Sequence, residues 1–169
     1  MNTFALILRL VHIIGGVFWV GGALAMNFFI SPTLGATGDA GRQFASHLMG
    51  KTRFSTFMSS NAFLSVIAGF ILYGIDSNWF TSAWQSSGPG IGFGVGALFA
   101  LVGLVTGIMN GNNNTALGKL GPQIQGKPTP EQAARLGTIR RQQAWVIPVN
   151  TWTLLLAVVF MAVARYLRF

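Results

Sequence analysis

Residues 4–30 read FALILRLVHIIGGVFWVGGALAMNFFI, and Arg9 is the only residue in this stretch with a formal charge. As a helix with a rise of about 1.5 Å per residue it would be about 40 Å long, whereas the hydrocarbon core of a bilayer is about 30 Å thick. Ser31 and Pro32 follow, and proline disfavours helical geometry in the residue before it. The stretch therefore predicts a membrane-spanning helix that ends at Ser31-Pro32.

Three further stretches are long and apolar enough to cross a bilayer, which takes about 20 residues in a helix. They cover residues 54–75, 91–109 and 146–166. Of the 169 residues, 51% are hydrophobic and 8% are charged, whereas about a quarter are charged in a soluble domain. We therefore predict a single integral membrane domain over residues 1–169, with an all-α fold and four transmembrane helices in an antiparallel bundle.

Lysine and arginine are distributed unevenly between the two sides of the predicted bundle. Eight lie in the connections between spans one and two and between spans three and four, namely Arg42, Lys51, Arg53, Lys119, Lys127, Arg135, Arg140 and Arg141. Three lie on the other side, namely Arg9, Arg165 and Arg168. Because short cytoplasmic loops are enriched in these residues, we predict that both termini face out of the cytoplasm, and we expect a bacterial cytoplasmic membrane. No nucleic-acid-binding motif accompanies the cations, so nucleic acid is excluded as a partner.

The two basic connections carry helix signals of their own. Thr129, Pro130 and Gln132 match a capped helix start, with a hydroxyl cap, proline at the first position and a glutamine that reaches back. Asp39 is expected to open another helix, which runs through Phe44 towards the second span. We predict helical cytoplasmic extensions before spans two and four.

His12 lies inside a predicted span, and ionisable groups within a membrane are candidates for function. Arg9 lies one helical turn nearer the outer surface. In one interpretation the imidazole binds the iron of haem b or another metal ion, and arginines contact the haem propionates. Met161, with Arg165 one turn beyond it, has the matching depth for a second iron ligand. In the other interpretation His12 forms a hydrogen bond to a neighbouring helix.

Glycines and one tryptophan recur at helical spacing in the first and third spans. They are Gly15, Trp19 and Gly22 in the first span and Gly92, Gly96, Gly103 and Gly107 in the third. Small residues at such spacing let membrane helices approach closely. We predict that all seven pack helices together, either within the bundle or against another subunit or a second copy of the chain.

Residues suited to catalysis are scarce. The chain has no cysteine, which excludes thiol catalysis and disulfide bonds. Its carboxylates, Asp39, Asp76 and Glu131, all lie outside the predicted spans. A carboxylate-driven proton pump or hydrolase is therefore not expected, and we predict no catalytic residue.

Residues 8–22, LRLVHIIGGVFWVGG, followed by FFISP at residues 28–32, resemble the opening helix of small membrane proteins grouped around the copper-resistance D (CopD-like) family. The resemblance implies that His12 is the functional histidine and that WVGG at residues 19–22 is a packing signature. The membrane-bound haem protein that oxidises protoporphyrinogen opens similarly, which implies haem as the ligand of such a histidine. The resemblance covers the first span well and the remaining chain by layout only.

Two functions of different classes follow from these patterns. The first is a CopD-like membrane protein that binds haem or a metal ion on its outer half through His12, for electron transfer or cofactor handling. The second is a non-catalytic accessory subunit that packs into a larger membrane complex through the glycine face of the third span.

Overall fold

The protein is built from helices, as seen in a computed structural model that describes residues 2–124 and 126–169. Over these residues the chain contains helices, turns and short loops and no strand. The α-helices are α1 (Thr3–Ala25), α2 (Ser31–Ala36), α3 (Gly38–Gly50), α4 (Phe54–Asp76), α5 (Gly88–Leu120) and α6 (Pro130–Val163). A π-helical turn covers Met26–Ile30, and 3-10 turns cover Ala83–Ser86, Gly121–Gln123 and Ala164–Tyr166. The predicted all-α fold is confirmed.

Four helical stretches within the described residues are long and apolar enough to cross a membrane. They are Thr3–Ala36, Phe54–Asp76, Gly88–Gln123 and Pro130–Tyr166. Large apolar side chains point away from the bundle, and Phe29 is 71% exposed. Such a surface would be unfavourable in water and is matched to lipid chains. The chain is an integral membrane protein, and the predicted four-helix transmembrane bundle is confirmed.

The four long helices form two antiparallel pairs, in which α1 packs along α4 and α5 packs along α6. The pairs meet at a small central core, where Trp19, Ala62 and Leu154 are buried and Leu104 packs against them. One end of the bundle holds both termini and the loop of residues 77–87, and we call it the terminal end. The opposite end holds α2, α3 and most of the lysines and arginines, and we call it the basic end.

The first membrane helix does not end at Ser31-Pro32, and that prediction is wrong. The chain passes through the π-helical turn at Met26–Ile30 and continues as α2 to Ala36. In this turn the N–H of Ser31 bonds to the carbonyl of Met26, one residue further back than in an α-helix. The wider turn makes room for the ring of Pro32, which would otherwise collide with a backbone carbonyl of the preceding turn.

Helix α5 also continues beyond its predicted end. The polar run that follows Met109 predicts a helix stop, but α5 reaches Leu120. Its 33 residues extend about 50 Å, against about 30 Å for the hydrocarbon core. Gln143 Nε2 donates to the side-chain oxygens of Asn110 and Asn114 at 3.3 and 2.9 Å. These bonds join α5 to α6 without breaking either helix, so α5 and α6 project together beyond the membrane at the basic end.

Both predicted helical extensions are present. Thr129 Oγ1 accepts the N–H of Gln132, and the Gln132 side chain accepts the N–H of Thr129, which completes the capping box. From Pro130 the helix runs through Pro148 into the span without a break. Before the second span, α3 is followed by three non-helical residues and then by α4.

Candidate functional site

A pocket of about 380 Å³ opens at the terminal end of the bundle. It is an open depression and not an enclosed cavity. All four spans contribute to the pocket, through the first two turns of α1 and α5, the last residue of α4 and the turn that follows α6. The lining residues are Arg9, Asp76, Trp84, Pro89, Phe93 and Arg165. The pocket therefore exists only when the two helix pairs come together.

Three charged groups line this pocket, two guanidiniums and one carboxylate. Arg9 Nη2 lies 3.9 Å from Asp76 Oδ1, and their side chains are 33% and 38% exposed. Arg165 contributes the second guanidinium from the 3-10 turn after α6. The lining thus carries one net positive charge, which favours an anionic ligand over a neutral or cationic one.

Aromatic rings form one wall of the pocket. The Trp84 ring lies 5.3 Å from Tyr73 in an edge-on arrangement and 6.4 Å from Phe93 in a stacked one, measured between ring centroids. Tyr73 Oη donates to the carbonyl of Gly90 at 3.2 Å and so joins α4 to α5 beside the pocket. The wall is aromatic and largely apolar, and it suits a flat ligand body.

The loop before Trp84 has unusual backbone geometry. Asn78, Trp79 and Phe80 have φ angles of 49°, 53° and 69°, a left-handed conformation that bulky residues rarely adopt. Ser77 Oγ accepts the N–H of Phe80 at 3.1 Å, and Thr81 Oγ1 donates to the carbonyl of Asn78. The tight turn brings the chain back over the end of α4 so that Trp84 reaches the pocket.

His12 is held against α4 by reciprocal hydrogen bonds with Ser65. His12 Nδ1 lies 2.8 Å from the carbonyl oxygen of Ser65, and Ser65 Oγ donates to the carbonyl oxygen of His12 at 2.8 Å. Because a carbonyl only accepts, Nδ1 is a donor, and a neutral ring with this tautomer has its lone pair on Nε2. A Cβ atom at Gly69 would lie 2.7 Å from His12 Cε1. The imidazole fits there because Gly69 has no side chain.

His12 and Met161 both lie one helical turn deeper than the arginines of the pocket. His12 is three residues from Arg9 on α1, and Met161 is four residues from Arg165 on α6. The Met161 side chain packs against Gly96, where an added Cβ would lie 3.2 Å from its Cε. The predicted ligand pair is therefore held on different helix pairs, with His12 against α4 and Met161 against α5.

The side chains around His12 offer few further ligands for a bare metal ion. In residues 2–124 and 126–169 there is no group of three or more His, Cys, Asp or Glu residues that could hold an ion. His47, the other histidine, is exposed on α3 at the basic end. His12 would need ligands other than these side chains to bind a metal ion.

The predicted packing residues of the first span contact α4. A Cβ at Gly15 would lie 3.1 Å from the carbonyl oxygen of Asn61, and one at Gly22 would lie 2.6 Å from Met58 Sδ. Trp19 is 6% exposed and belongs to the central core.

The glycine face of α5 is filled by α6 and the turn after it. Gly92 faces Ala164 and Leu167, Gly96 faces Phe160 and Met161, Gly103 faces Leu154 and Thr153, and Gly107 faces Asn150. An added Cβ would approach these neighbours to between 2.6 and 3.5 Å. Of the two alternatives for this face, packing within the bundle is the one observed. The glycines thus let α6 approach α5 closely.

A second polar cluster lies between the central core and the basic end. It joins the π-helical turn after α1 to α5 and α6. Asn150 Nδ2 donates to the carbonyl oxygen of Gly103 and to Thr106 Oγ1, at 2.8 and 3.2 Å. Asn27, in the π-helical turn, donates to Thr151 Oγ1 at 2.9 Å and to Asn150 Oδ1 at 3.4 Å. These bonds tie the first helix to the second pair.

Sequence reasoning does not assign Asp76, Trp84 and Phe93 to a site. From the sequence, Asp76 marks the end of a span and Trp84 is an anchor at the headgroup level. One signal is available: Asp76 is the only acidic side chain in the part of the sequence predicted to lie on the same side of the membrane as Arg9 and Arg165. Phe93 gives no such signal, because it resembles every other phenylalanine in an apolar helix.

Comparison of the chain with protein-family models, with curated proteins and with solved structures finds no match. Function is therefore inferred from the geometry of the terminal-end pocket and of His12.

Proposed function

We propose that this integral membrane protein is a CopD-like haem-binding protein, with His12 as the iron ligand and Arg9 and Arg165 as partners for the haem propionates. The observation that carries the proposal is the convergence of the two arginines on one pocket, with His12 one turn below. Guanidinium groups form strong paired hydrogen bonds with carboxylates. Two of them beside an aromatic wall suit a flat ligand with acidic groups on one edge.

The hydrogen bonding of His12 supports its role as a ligand. Histidines that bind metals commonly donate their other ring N–H to a carbonyl or carboxylate, which fixes the tautomer and the ring orientation. Ser65 supplies such a carbonyl to Nδ1, and Nε2 keeps its lone pair. Gly69 leaves the space that the ring needs beside α4. The residues present therefore fit a single imidazole ligand.

Met161 is not part of the proposed ligand set. Its side chain fills the interface between α5 and α6 against Gly96, where it has a packing role. A thioether would have to leave that contact to reach the other helix pair. We therefore assign the iron to His12 alone among the described side chains, and we prefer haem over a bare metal ion because described donors do not cluster.

When bound, haem would supply one-electron redox chemistry at the terminal end of the bundle. The contribution of the protein would be to hold the imidazole, to neutralise the acidic groups and to place the aromatic rings of Trp84 and Phe93 beside the ligand. From the distribution of lysine and arginine we infer that this end faces out of the cytoplasm of a bacterial cell. Electron transfer or cofactor handling at the outer face is the role that we propose.

Absorption spectroscopy tests the proposal. Purified protein in lipid nanodiscs is titrated with haemin, and the Soret band is compared with that of empty nanodiscs. We expect a saturable, shifted band that His12→Ala abolishes and that His47→Ala leaves unchanged, since His47 is exposed at the basic end. We expect Met161→Leu to keep the band. Equal binding by wild type and His12→Ala, or no saturable binding by wild type, would refute the proposal.

A further inference from the structure

Asp76 is a carboxylate inside a pocket that otherwise attracts anions. Its Oδ1 lies 3.9 Å from Arg9 Nη2, and both side chains line the pocket with Arg165. An anionic ligand that approaches Arg9 therefore also approaches the negative charge of Asp76. The two anions repel each other and compete for the attraction of the same guanidinium.

Helix stability does not account for an aspartate at this position. Asp76 is the last residue of α4, and the carboxyl end of a helix carries a partial negative charge that disfavours acidic side chains. The Arg9–Asp76 pair is also about one third exposed, and exposed pairs contribute little to folding. Removal of the charge should therefore leave the fold intact.

We propose that Asp76 is a specificity-determining residue that acts as an internal competitor for Arg9. A ligand carboxylate binds the guanidinium against the opposing charge of Asp76, and the aspartate lowers the affinity for acidic ligands without contributing a contact to them. The identity of the acidic ligand as a porphyrin rests on the proposed function, whereas the competition itself follows from the three charges of the pocket.

The charges of the pocket give the direction and size of the change in affinity that Asp76→Asn should cause. With Asp76 the lining carries one net positive charge, and the Asp76→Asn substitution would raise it to two. Removing a partly exposed charge partner changes an interaction by roughly a factor of two to five. The gain should require both an anionic group on the ligand and the guanidinium of Arg9.

Binding titrations in neutral phosphatidylcholine nanodiscs test this inference. The variants are Asp76→Asn, Arg9→Gln and the double variant, with Asp39→Asn as the matched control because Asp39 is an exposed aspartate of α3 at the basic end. The probes are haemin, metal-free protoporphyrin with two free carboxylates, and its uncharged dimethyl ester. Porphyrin fluorescence and absorbance report binding, with empty nanodiscs as the reference.

We expect Asp76→Asn to bind haemin and protoporphyrin roughly two- to fivefold more tightly than wild type, with no gain for the dimethyl ester, none in the Arg9→Gln background and none for Asp39→Asn. If haemin binds equally to wild type and Asp76→Asn, the competition is refuted and the proposed function stands. If haemin shows no histidine-dependent band but protoporphyrin shows the Asp76→Asn gain, haem binding is refuted and the competition stands. An absence of saturable binding by every probe overturns both.

Discussion

Replacing Asn150 by leucine removes the side chain that joins three helices of the bundle. Asn150 Nδ2 bonds to the carbonyl oxygen of Gly103 at 2.8 Å and to Thr106 Oγ1 at 3.2 Å. Its Oδ1 accepts from Asn27 Nδ2 at 3.4 Å. The residue is 3% exposed, so neither water nor lipid headgroups can replace these partners. Leucine has the same branching and the same number of side-chain heavy atoms, so the substitution removes the hydrogen bonds without leaving a cavity.

The expected loss follows from the number of bonds. A side-chain hydrogen bond between membrane helices contributes about 0.6 kcal/mol on average and about 1.7 kcal/mol at most. For the three bonds of Asn150 we expect the free energy of unfolding to fall by about 2 kcal/mol. Thr106→Val removes one of them and should cost about 0.6 kcal/mol. In the double variant the total loss should be about 0.6 kcal/mol smaller than the sum of the two single losses, because both substitutions remove the same bond.

The free energy of unfolding is measured by titration with sodium dodecyl sulfate in mixed micelles, with circular dichroism as the readout. Thr153→Val is the matched control, because the Thr153 hydroxyl bonds to the carbonyls of Val149 and Asn150 in its own helix. We expect the control to change the unfolding free energy by less than about 0.5 kcal/mol. The assignment of Asn150 as an interhelical tie is refuted if Asn150→Leu unfolds with the wild-type midpoint, or if Thr153→Val costs as much.

Three further predictions concern the imidazole, the capping box and the orientation. Gly69→Ala should displace the His12 ring, because the new Cβ would meet it at 2.7 Å, and should weaken haemin binding by about tenfold or more. Gly94→Ala, whose Cβ would meet its nearest neighbour at an ordinary 3.5 Å, should bind as wild type does. Thr129→Ala should raise hydrogen exchange in the first turn of α6 by roughly fivefold, since a lost cap costs about 1 kcal/mol. Because the chain has no cysteine, Lys127→Cys gives a single thiol, which membrane-impermeant maleimide should label only after the cells are opened.

Each of the three has an outcome that contradicts it. Equal haemin affinity of the two glycine variants would mean that the contact with Gly69 does not position His12. Unchanged hydrogen exchange at the start of α6 would mean that the capping box is not formed in the membrane-embedded protein. Labelling of Lys127→Cys in intact cells would reverse the orientation, and the terminal-end pocket would then face the cytoplasm.

The sequence was sufficient for the membrane class and for much of the helix layout. Long apolar stretches in a chain with 8% charged residues leave lipid as the solvent, and lipid requires that backbone hydrogen bonds be made within each segment. The capping box at Thr129 could also be predicted from the sequence, because its two residues are only three positions apart. Such local signals depend little on the rest of the fold.

Two helix ends were predicted wrongly, because a proline and a polar run, which usually end a helix, lie inside longer helices. Pro32 normally indicates a helix end, but the π-helical turn before it absorbs the steric conflict. The polar residues after Met109 mark the edge of the membrane rather than the end of α5. In both cases the backbone remains helical because its own hydrogen bonds can still be made.

By itself, the sequence determined that the protein lies in a membrane, that four helices cross it, and that His12 is an ionisable group within the first of them. Only the tertiary structure decided that α1 packs on α4 and α5 on α6, that Ser65 holds His12, and that Asp76 shares a pocket with Arg9 and Arg165. The physical reason is the uniformity of lipid as a solvent. It drives every apolar helix into the membrane without selecting its neighbours, and the neighbours are fixed by close glycine contacts and a few polar bonds between residues far apart in the chain.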